Sequence, residues 1–183
     1  MHKLRPTLWR TCRVIACETR LKLLWALFDE KELCVKDLAE RVERGEAQVS
    51  LQLRALNARG LILSRRKKNW VLYSSEANES VDCAAELLEG LRQCHNQGMA
   101  LTTVIRQATA LTHQRRIELV RVLEGKELGL EALLETTGMS TSALFSHLSK
   151  LTDRGFVSTR LDKYKLTRPK NRFGALLLRI ALS

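Results

Sequence analysis

Val49–Ile62, VSLQLRALNARGLI, has the same pattern as Leu144–Val157, LFSHLSKLTDRGFV. In both segments the apolar residues recur with helical spacing, and an Arg-Gly pair ends the helix before residues that favour a strand. The two segments align without gaps, so that Gly60 pairs with Gly155. Random apolar spacing seldom gives such agreement, and the sequence therefore predicts an internal duplication whose period is about one small domain.

The agreement continues on both sides of these segments, with one-residue adjustments in the loops. The matched pairs are Arg20–Leu24 with Arg116–Val120, Glu32–Leu38 with Glu127–Leu133, and Trp70–Leu72 with Tyr164–Leu166. The period is too long for a solenoid repeat. We therefore predict two tandem domains, at residues 1–97 and 98–183.

Length and composition agree with two small folded domains. The chain has 183 residues, of which 45% are hydrophobic, enough for packed cores. Its five cysteines include no Cys-x-x-Cys pair, and the N-terminus lacks an apolar signal region, which favours a reducing cytoplasm. The longest apolar stretch is interrupted by Arg179, so we expect no membrane span.

The positive charge is concentrated after the two repeated helices. The formal net charge is +11 and the pI is near 9.9. Arg65, Arg66, Lys67 and Lys68 lie between two short apolar runs, which predicts a basic hairpin tip suited to DNA phosphates. A second basic cluster follows the other helix, at Arg160, Lys163, Lys165, Arg168, Lys170 and Arg172. The alternative is a solvated surface that only keeps the protein soluble.

The helical period divides each repeated helix into two faces. Val49, Leu53 and Leu56 are predicted to point inward in the first copy, and Leu144, Leu148 and Leu151 in the second. The opposite faces carry Ala47, Leu51, Arg54 and Ala58 in the first copy, and Ser142, Ser146, Ser149 and Asp153 in the second. Ser140 is placed to cap the second helix, and Gly138 suits the turn before it. This arrangement predicts a helix-turn-helix.

The chain resembles the ArsR-type winged-helix repressors. The first copy carries this resemblance in Arg20–Leu24, Glu32–Leu38, Val49–Leu56, Gly60–Ile62, Arg65–Arg66 and Trp70–Tyr73. The second copy is similar in Arg116–Ile117, Leu128, Ser140–Ser142, Ser146–Leu148 and Gly155–Val157, with a less basic wing. The resemblance implies a mainly α-helical fold in which a two-stranded wing and a closing helix follow each helix-turn-helix. It also implies a transcription regulator, of the repressor kind, that binds double-stranded DNA.

The resemblance implies which residues read DNA. The recognition helices would lie near residues 46–59 and 141–154, each in a major groove. The candidates in the first copy are Gln48, Ser50, Leu51, Gln52 and Arg54, with Arg65, Arg66, Lys67 and Lys68 on the wing. The candidates in the second are Ser140, Thr141, Ser142, Ser146, His147, Ser149 and Lys150, with Lys163 on its wing. Glu46 departs from the family's usual polar entry and would repel phosphate.

Relatives in this family dimerise through their first and last helices, whereas this chain already holds two recognition helices. Closing helices are predicted at residues 75–94 and 173–182, the first being broken at Asn96-Gln97-Gly98 before a new helix starts near Met99. No Gly/Ser linker intervenes. We predict that the copies pack as a fused pseudo-dimer. The alternatives are two independent units, and further homodimerisation.

The resemblance also raises metal sensing, because many relatives release DNA when they bind metal ions. The family's thiolate site falls at Cys34-Val35-Lys36, where lysine replaces the second sulfur ligand. One thiolate cannot hold a soft metal ion alone. Asp82, Cys83, Cys94 and His95 would need a partner helix, so we expect structural cysteines, no metal site and no cofactor. The effector, if there is one, stays unassigned.

No catalytic motif is present. The chain has no Gly-rich phosphate loop, no His-Glu-x-x-His and no Gly-x-Ser-x-Gly, so we do not expect an enzyme. The competing hypothesis is a winged-helix protein-interaction module without sequence-specific DNA binding. Leu51 supports that view, because an apolar recognition face is unusual in a DNA reader, although it could instead contact a thymine methyl group.

Overall fold

The computed structural model describes residues 7–183. The described chain divides into two compact units, one of Thr7 and residues 14–105 and the other of residues 8–13 and 106–183. The predicted domain boundary between residues 97 and 98 stays a prediction, and residues 1–6 of that first domain lie outside the described part. Both units are mainly helical with a small antiparallel sheet.

The elements between residues 7 and 96 are five helices and three short strands. They are α1 (Leu8–Ile15), α2 (Glu18–Asp29), β1 (Leu33–Cys34), α3 (Val35–Val42), α4 (Glu46–Asn57), β2 (Leu63–Lys67), β3 (Trp70–Ser74) and α5 (Ala84–Asn96). The three strands form one sheet in the order β1-β3-β2. We expected a two-stranded wing; β1 adds a third strand because Leu33 and Cys34 pair with Tyr73 and Leu72.

The remaining elements repeat the same order of helices and strands. They are α6 (Leu101–Ala110), α7 (Gln114–Val122), β4 (Glu127–Gly129), α8 (Leu130–Thr137), α9 (Thr141–Asp153), β5 (Val157–Arg160), β6 (Lys163–Leu166) and α10 (Arg172–Leu182). Their sheet has the order β4-β6-β5, again with the short strand beside the last one. No helix in residues 7–183 is long and apolar enough to cross a membrane.

Packing, rather than capping, fixes helix α4. Val49, Leu53 and Leu56 are fully buried, as predicted, whereas the residue before the helix, Gly45, offers no side-chain cap. Burial of each leucine contributes about 1.5–3 kcal/mol of transfer free energy, more than the ~1 kcal/mol of a good cap. The apolar stripe therefore sets the rotation of α4 and decides which residues face outward.

Helix α9 has both the apolar stripe and the predicted cap. Leu144 and Leu151 are fully buried and Leu148 is nearly so. The Ser140 hydroxyl oxygen accepts a hydrogen bond from the backbone N–H of Ala143 at 3.4 Å. Gly138 has φ +61°, which lets the chain turn between α8 and α9. Helices α8 and α9 are thus joined by a short turn.

The closing helix of the first copy is shorter than predicted. We expected a helix over residues 75–94, but α5 runs from Ala84 to Asn96. Asn78 competes for the backbone, because its side-chain oxygen accepts from the Ser80 backbone N–H at 3.0 Å and the Ser80 hydroxyl at 2.6 Å. Cys83 then adopts φ +62° immediately before the helix. These local turns delay the start of the helix by about two and a half helical turns.

Candidate nucleic-acid interface

The outer face of α4 is exposed and mixed in character. Gln48 and Arg54 lie on it, together with Leu51, whose side chain is 58% exposed. Ser50 and Gln52 are half-buried at its edges. Gln48 and Arg54 therefore have the access that base contacts require, and Leu51 adds an apolar group between them.

Gln52 is held by the neighbouring helix. Its side-chain oxygen accepts a hydrogen bond from Arg20 Nη1 at 2.7 Å, and Arg20 Nε donates to the Val14 carbonyl at 2.6 Å. The arginine thus connects the end of α1 to the middle of α4. This contact gives Gln52 a positioning role and leaves its NH₂ group and the second lone pair of its oxygen for a base.

The outer face of α9 is richer in hydroxyl groups. Ser142, Ser146 and Ser149 are exposed, as are Thr141 and Lys150. Phe145 lies among them with 48% of its surface exposed, although sequence analysis did not select it. Its counterpart in the first copy is Ser50, so the alignment alone gave no signal for an exposed ring. This face offers short hydrogen-bonding groups around one aromatic side chain.

His147 is not a free cation on that face. Its ring centroid lies 4.6 Å from that of His113, and its buried Nδ1 has no hydrogen-bond partner in the described part of the chain. Nδ1 of His113 accepts from the Arg115 backbone N–H at 3.1 Å and so caps α7. Sequence analysis missed His113, because the two histidines are distant in the chain.

Partial desolvation and positive neighbours favour the neutral form of both imidazoles, because both lower the pKa. Desolvation is the largest cause that lowers the pKa of His113, and Arg116 and Lys150 lower it further. Desolvation also lowers the pKa of His147, followed by His113 and Arg116. A neutral His147 can donate or accept a hydrogen bond but does not supply a charge to phosphate.

The first basic run lies along a strand rather than at a tip. Arg65, Arg66 and Lys67 belong to β2, and only Lys68, with φ +54°, is in the turn. The prediction of a hairpin is correct, but the position of three of these cations within it was wrong. The strand is longer than predicted because the basic residues pair with β3 in regular antiparallel register. The last pair before the turn is Lys67 with Trp70.

Arg65 forms an ion pair with Glu32. Its guanidinium donates through Nε and Nη2 to the two carboxylate oxygens of Glu32. The hydrogen bond from Arg65 lowers the pKa of Glu32. Arg66, Lys67 and Lys68 are exposed and none takes part in an ion pair within residues 7–183. Three of the four predicted phosphate contacts are therefore unobstructed.

The second hairpin has an apolar tip. Arg160 on β5 pairs across the sheet with Lys163 on β6, and Leu161 and Asp162 make the turn, with φ +49° and +56°. Leu161 is 86% exposed. Lys165 lies further down the strand, where its Nζ is 3.0 Å from a Glu127 oxygen. Arg160 and Lys163 are thus the cations that frame the tip.

The helix-turn-helix corners differ in charge. A groove at the first corner is lined by carboxylates and cations, namely Lys36, Glu40, Glu43, Arg44 and Glu46. Residues 136–142 at the second corner are TTGMSTS, with five hydroxyl groups and no charge. A phosphate near the first corner meets three carboxylates and two cations, whereas the second corner offers uncharged hydrogen-bond donors.

The cysteines are all free thiols in the described structure, and three of the five are buried. Burial raises the pKa of Cys12 to about 12 and that of Cys94 to about 11. Cys34 ends β1, and its backbone N–H donates to Asp37 Oδ2 at 3.0 Å. Residues 7–183 contain no group of three or more potential metal-ligating side chains. The arrangement gives Cys34 a local structural role at the start of α3.

Comparison with known proteins identifies the first helix-turn-helix. Residues 17–64 match the bacterial regulatory protein arsR family. The arsenical resistance operon repressor of Escherichia coli K12 is 36% identical over 61 residues, which are 33% of this chain and 52% of that protein. The arsenic resistance transcriptional regulator ArsR1 of Pseudomonas putida is 33% identical over 61 residues, 33% of this chain and 48% of that protein.

The chain thus spans about half the length of the curated relatives that it matches. Among solved structures, reduced HlyU from Vibrio cholerae N16961 is 27% identical, covering 48% of this chain and 84% of that one, with a TM-score of 0.39. The matched span, residues 17–64, includes helices α2, α3 and α4 and the start of β2. An ArsR-family helix-turn-helix therefore occupies the first part of the chain.

Proposed function

We propose that this protein is a transcription regulator of the repressor kind that binds double-stranded DNA sequence-specifically. Helix α4 and helix α9 read the major groove, and the two hairpins contact phosphates. The ArsR-family match over residues 17–64 supports this function, as do the two relatives that are named as a repressor and a transcriptional regulator. The net charge of +11 favours a polyanionic partner.

The observation that carries the proposal is the outer face of α4. This helix lies inside the matched span, and its core residues are buried on one side only. Gln48 and Arg54 are exposed on the other side, and amide and guanidinium groups are the side chains that bond to adenine and guanine edges. The exposed cations of β2 follow directly and supply phosphate contacts.

We also propose that the second unit is a second winged helix-turn-helix and that the two form an intramolecular pseudo-dimer. The shared order of elements and of strands in the sheets supports the duplication. Only four residues separate α5 from α6, which leaves no room for a long flexible linker. A chain of this kind requires no second copy for DNA binding, although further homodimerisation stays open.

One observation favours a second candidate function, a protein-interaction module. Leu51 is 58% exposed, and the groove at the adjacent corner is lined by Glu40, Glu43 and Glu46. Lys36 and Arg44 also line this groove, which leaves it one excess negative charge, and an apolar residue beside it suits a basic peptide better than a phosphate backbone. In that case α4 would hold a protein partner, while DNA binding by the whole chain would be weak and non-specific.

An electrophoretic mobility shift with random genomic fragments, repeated over a range of salt concentrations, separates the two functions. We expect a subset of fragments to be retained at a salt concentration that releases the rest. Gln48→Ala should reduce the retention of this subset, whereas Gln93→Ala, at an exposed glutamine of α5, should not. Equal retention of all fragments, or none at any salt concentration, would refute sequence-specific binding.

A further inference from the structure

The tip of the second hairpin holds a leucine in an unfavourable position. Leu161 is 86% exposed and has φ +49°, in the left-handed region that L residues with a bulky side chain avoid. Two-residue hairpin turns of this kind favour Asn-Gly or Asp-Gly, whose residues adopt positive φ readily. Leucine therefore lowers the stability of the turn and contributes almost no packing to the fold.

The first hairpin shows what the fold itself requires at this position. Its turn is Lys68-Asn69, a polar pair, with Lys68 at φ +54°. The backbone geometry is thus reached without an apolar residue. The leucine at the second tip is not explained by the turn, and its exposed side chain is available to a binding partner.

The charges beside Leu161 indicate the chemistry of that partner. Arg160 and Lys163 face each other across the hairpin immediately behind the tip, and neither is ion-paired within residues 7–183. Asp162 adds one carboxylate, so the end of the hairpin carries a net positive charge. An apolar point between two cations matches a DNA groove, where base edges lie between two rows of phosphates.

We propose that Leu161 enters the minor groove of bound DNA as a wedge, partly unstacking one base step and bending the duplex, while Arg160 and Lys163 contact the phosphates on either side. This inference rests on the proposed DNA-binding function. Apolar side chains that open a base step bend DNA towards the major groove, and the bend brings more of the duplex against the protein. The second hairpin would then bend the DNA, whereas the first would bind its phosphates through positive charge.

The test uses the full chain and a duplex selected by it from random DNA. The duplex carries a donor and an acceptor dye at its two ends and 2-aminopurine at successive positions. We expect the parent protein to shorten the distance between the dyes and to raise the fluorescence of 2-aminopurine at one step, since unstacking relieves its quenching. Leu161→Asn removes the wedge and keeps a residue that tolerates positive φ, so the turn should remain intact.

Leu161→Asn should abolish both signals and weaken binding by about tenfold, because the leucine loses its transfer from water into the groove. Leu161→Met should retain them, and Val71→Thr, at an exposed apolar residue of β3 that makes none of the proposed DNA contacts, should leave the bend unchanged. A bend that persists in Leu161→Asn would overturn the wedge while leaving DNA binding in place. Failure of the parent to bind any duplex would instead reject the proposed function, and the wedge with it. Loss of self-association in Leu161→Asn, with bending unaffected, would assign the tip to a contact between chains.

Discussion

At the scale of single residues, equivalent positions in the two units have different surroundings. Gly60 and Gly155 both end a repeated helix with positive φ, +66° and +79°. A Cβ atom on Gly60 would lie 2.8 Å from Val81 Cβ, whereas one on Gly155 would have nothing within 4 Å. The first glycine is required by both conformation and space, and the second by conformation alone.

Alanine at these two positions should separate the two effects. We expect Gly155→Ala to lower the free energy of unfolding by about 1–2 kcal/mol, the cost of a left-handed residue. Gly60→Ala should cost about 1–3 kcal/mol more, because Val81 must also move in a packed region. Urea denaturation followed by circular dichroism measures both variants. An equal decrease in the free energy of unfolding in both variants would mean that the loop carrying Val81 moves aside without loss of stability.

The histidine pair predicts how stability depends on pH. The pKa values of His113 and His147 are lowered in the folded protein, so the unfolded chain binds more protons near pH 6. Folded stability should therefore fall as pH decreases from the ordinary histidine value, about 6.5, towards the lowered values. The lowered carboxyl pKa values of Glu32 and Glu127 act only at more acidic pH.

The variant His113→Asn/His147→Gln tests this assignment. Asparagine keeps a capping acceptor at the start of α7, and glutamine is the residue that the first unit has at the equivalent place. Denaturation at several pH values between 7 and 5 should show a smaller loss of stability in the variant than in the parent. An identical pH dependence in both proteins would assign the titration to other groups.

At the scale of elements, the two hairpins share their strand order but differ in their charges. The hairpins were predictable from the sequence, since apolar runs flank each turn, but the position of the first turn was not. The pairing of Arg65 with Glu32 was not, because the two residues are far apart in sequence and meet only when β1 joins the sheet. Local pattern predicts strands and turns, but not which cation is neutralised by a distant carboxylate.

Salt dependence of DNA binding should distinguish the cations of the first hairpin. Replacing Arg66, Lys67 and Lys68 together by alanine should flatten the dependence of log K on log salt by about one unit for each lost phosphate contact. Arg65→Ala is the matched control and should change the slope little, because Glu32 already neutralises that guanidinium. A slope unaffected by the triple change would remove the first hairpin from the DNA interface.

At the scale of the whole molecule, the sequence predicted a repeated order of elements, which the structure has, but it did not predict all the differences between the two halves. Leucine spacing predicted α4 and α9 and their buried faces, because helical periodicity is a local property. The predicted start of α5 was wrong, because the hydrogen-bonded turn at Asn78 prevents a helix there despite the helical spacing of the apolar residues that follow. Two contacts depend on tertiary packing, which a single sequence does not reveal. They are the ring contact between His113 and His147 and the hydrogen bond from Arg20 to Gln52.

The unlike recognition faces predict an asymmetric binding site. A symmetric dimer prefers a palindrome, but this chain offers Gln48, Leu51 and Arg54 on α4 against Ser142 and Ser146 on α9. Selection from random DNA should yield two unlike half-sites whose centres are about 34 Å apart, if the pseudo-dimer keeps the usual geometry. Native mass spectrometry should find one chain on each site. A strict inverted repeat with two chains bound would mean that only one unit reads sequence.

The short connection between α5 and α6 affects how DNA occupancy depends on the number of protein molecules in the cell. Separate subunits come apart on dilution, so the activity of a dimeric regulator rises with the square of its abundance when the protein is scarce. The two readers that we propose lie in one chain with only four residues between α5 and α6, so their local concentration would be fixed and high. Promoter occupancy would then follow the first power of the number of molecules per cell. A few copies would be enough for a graded response.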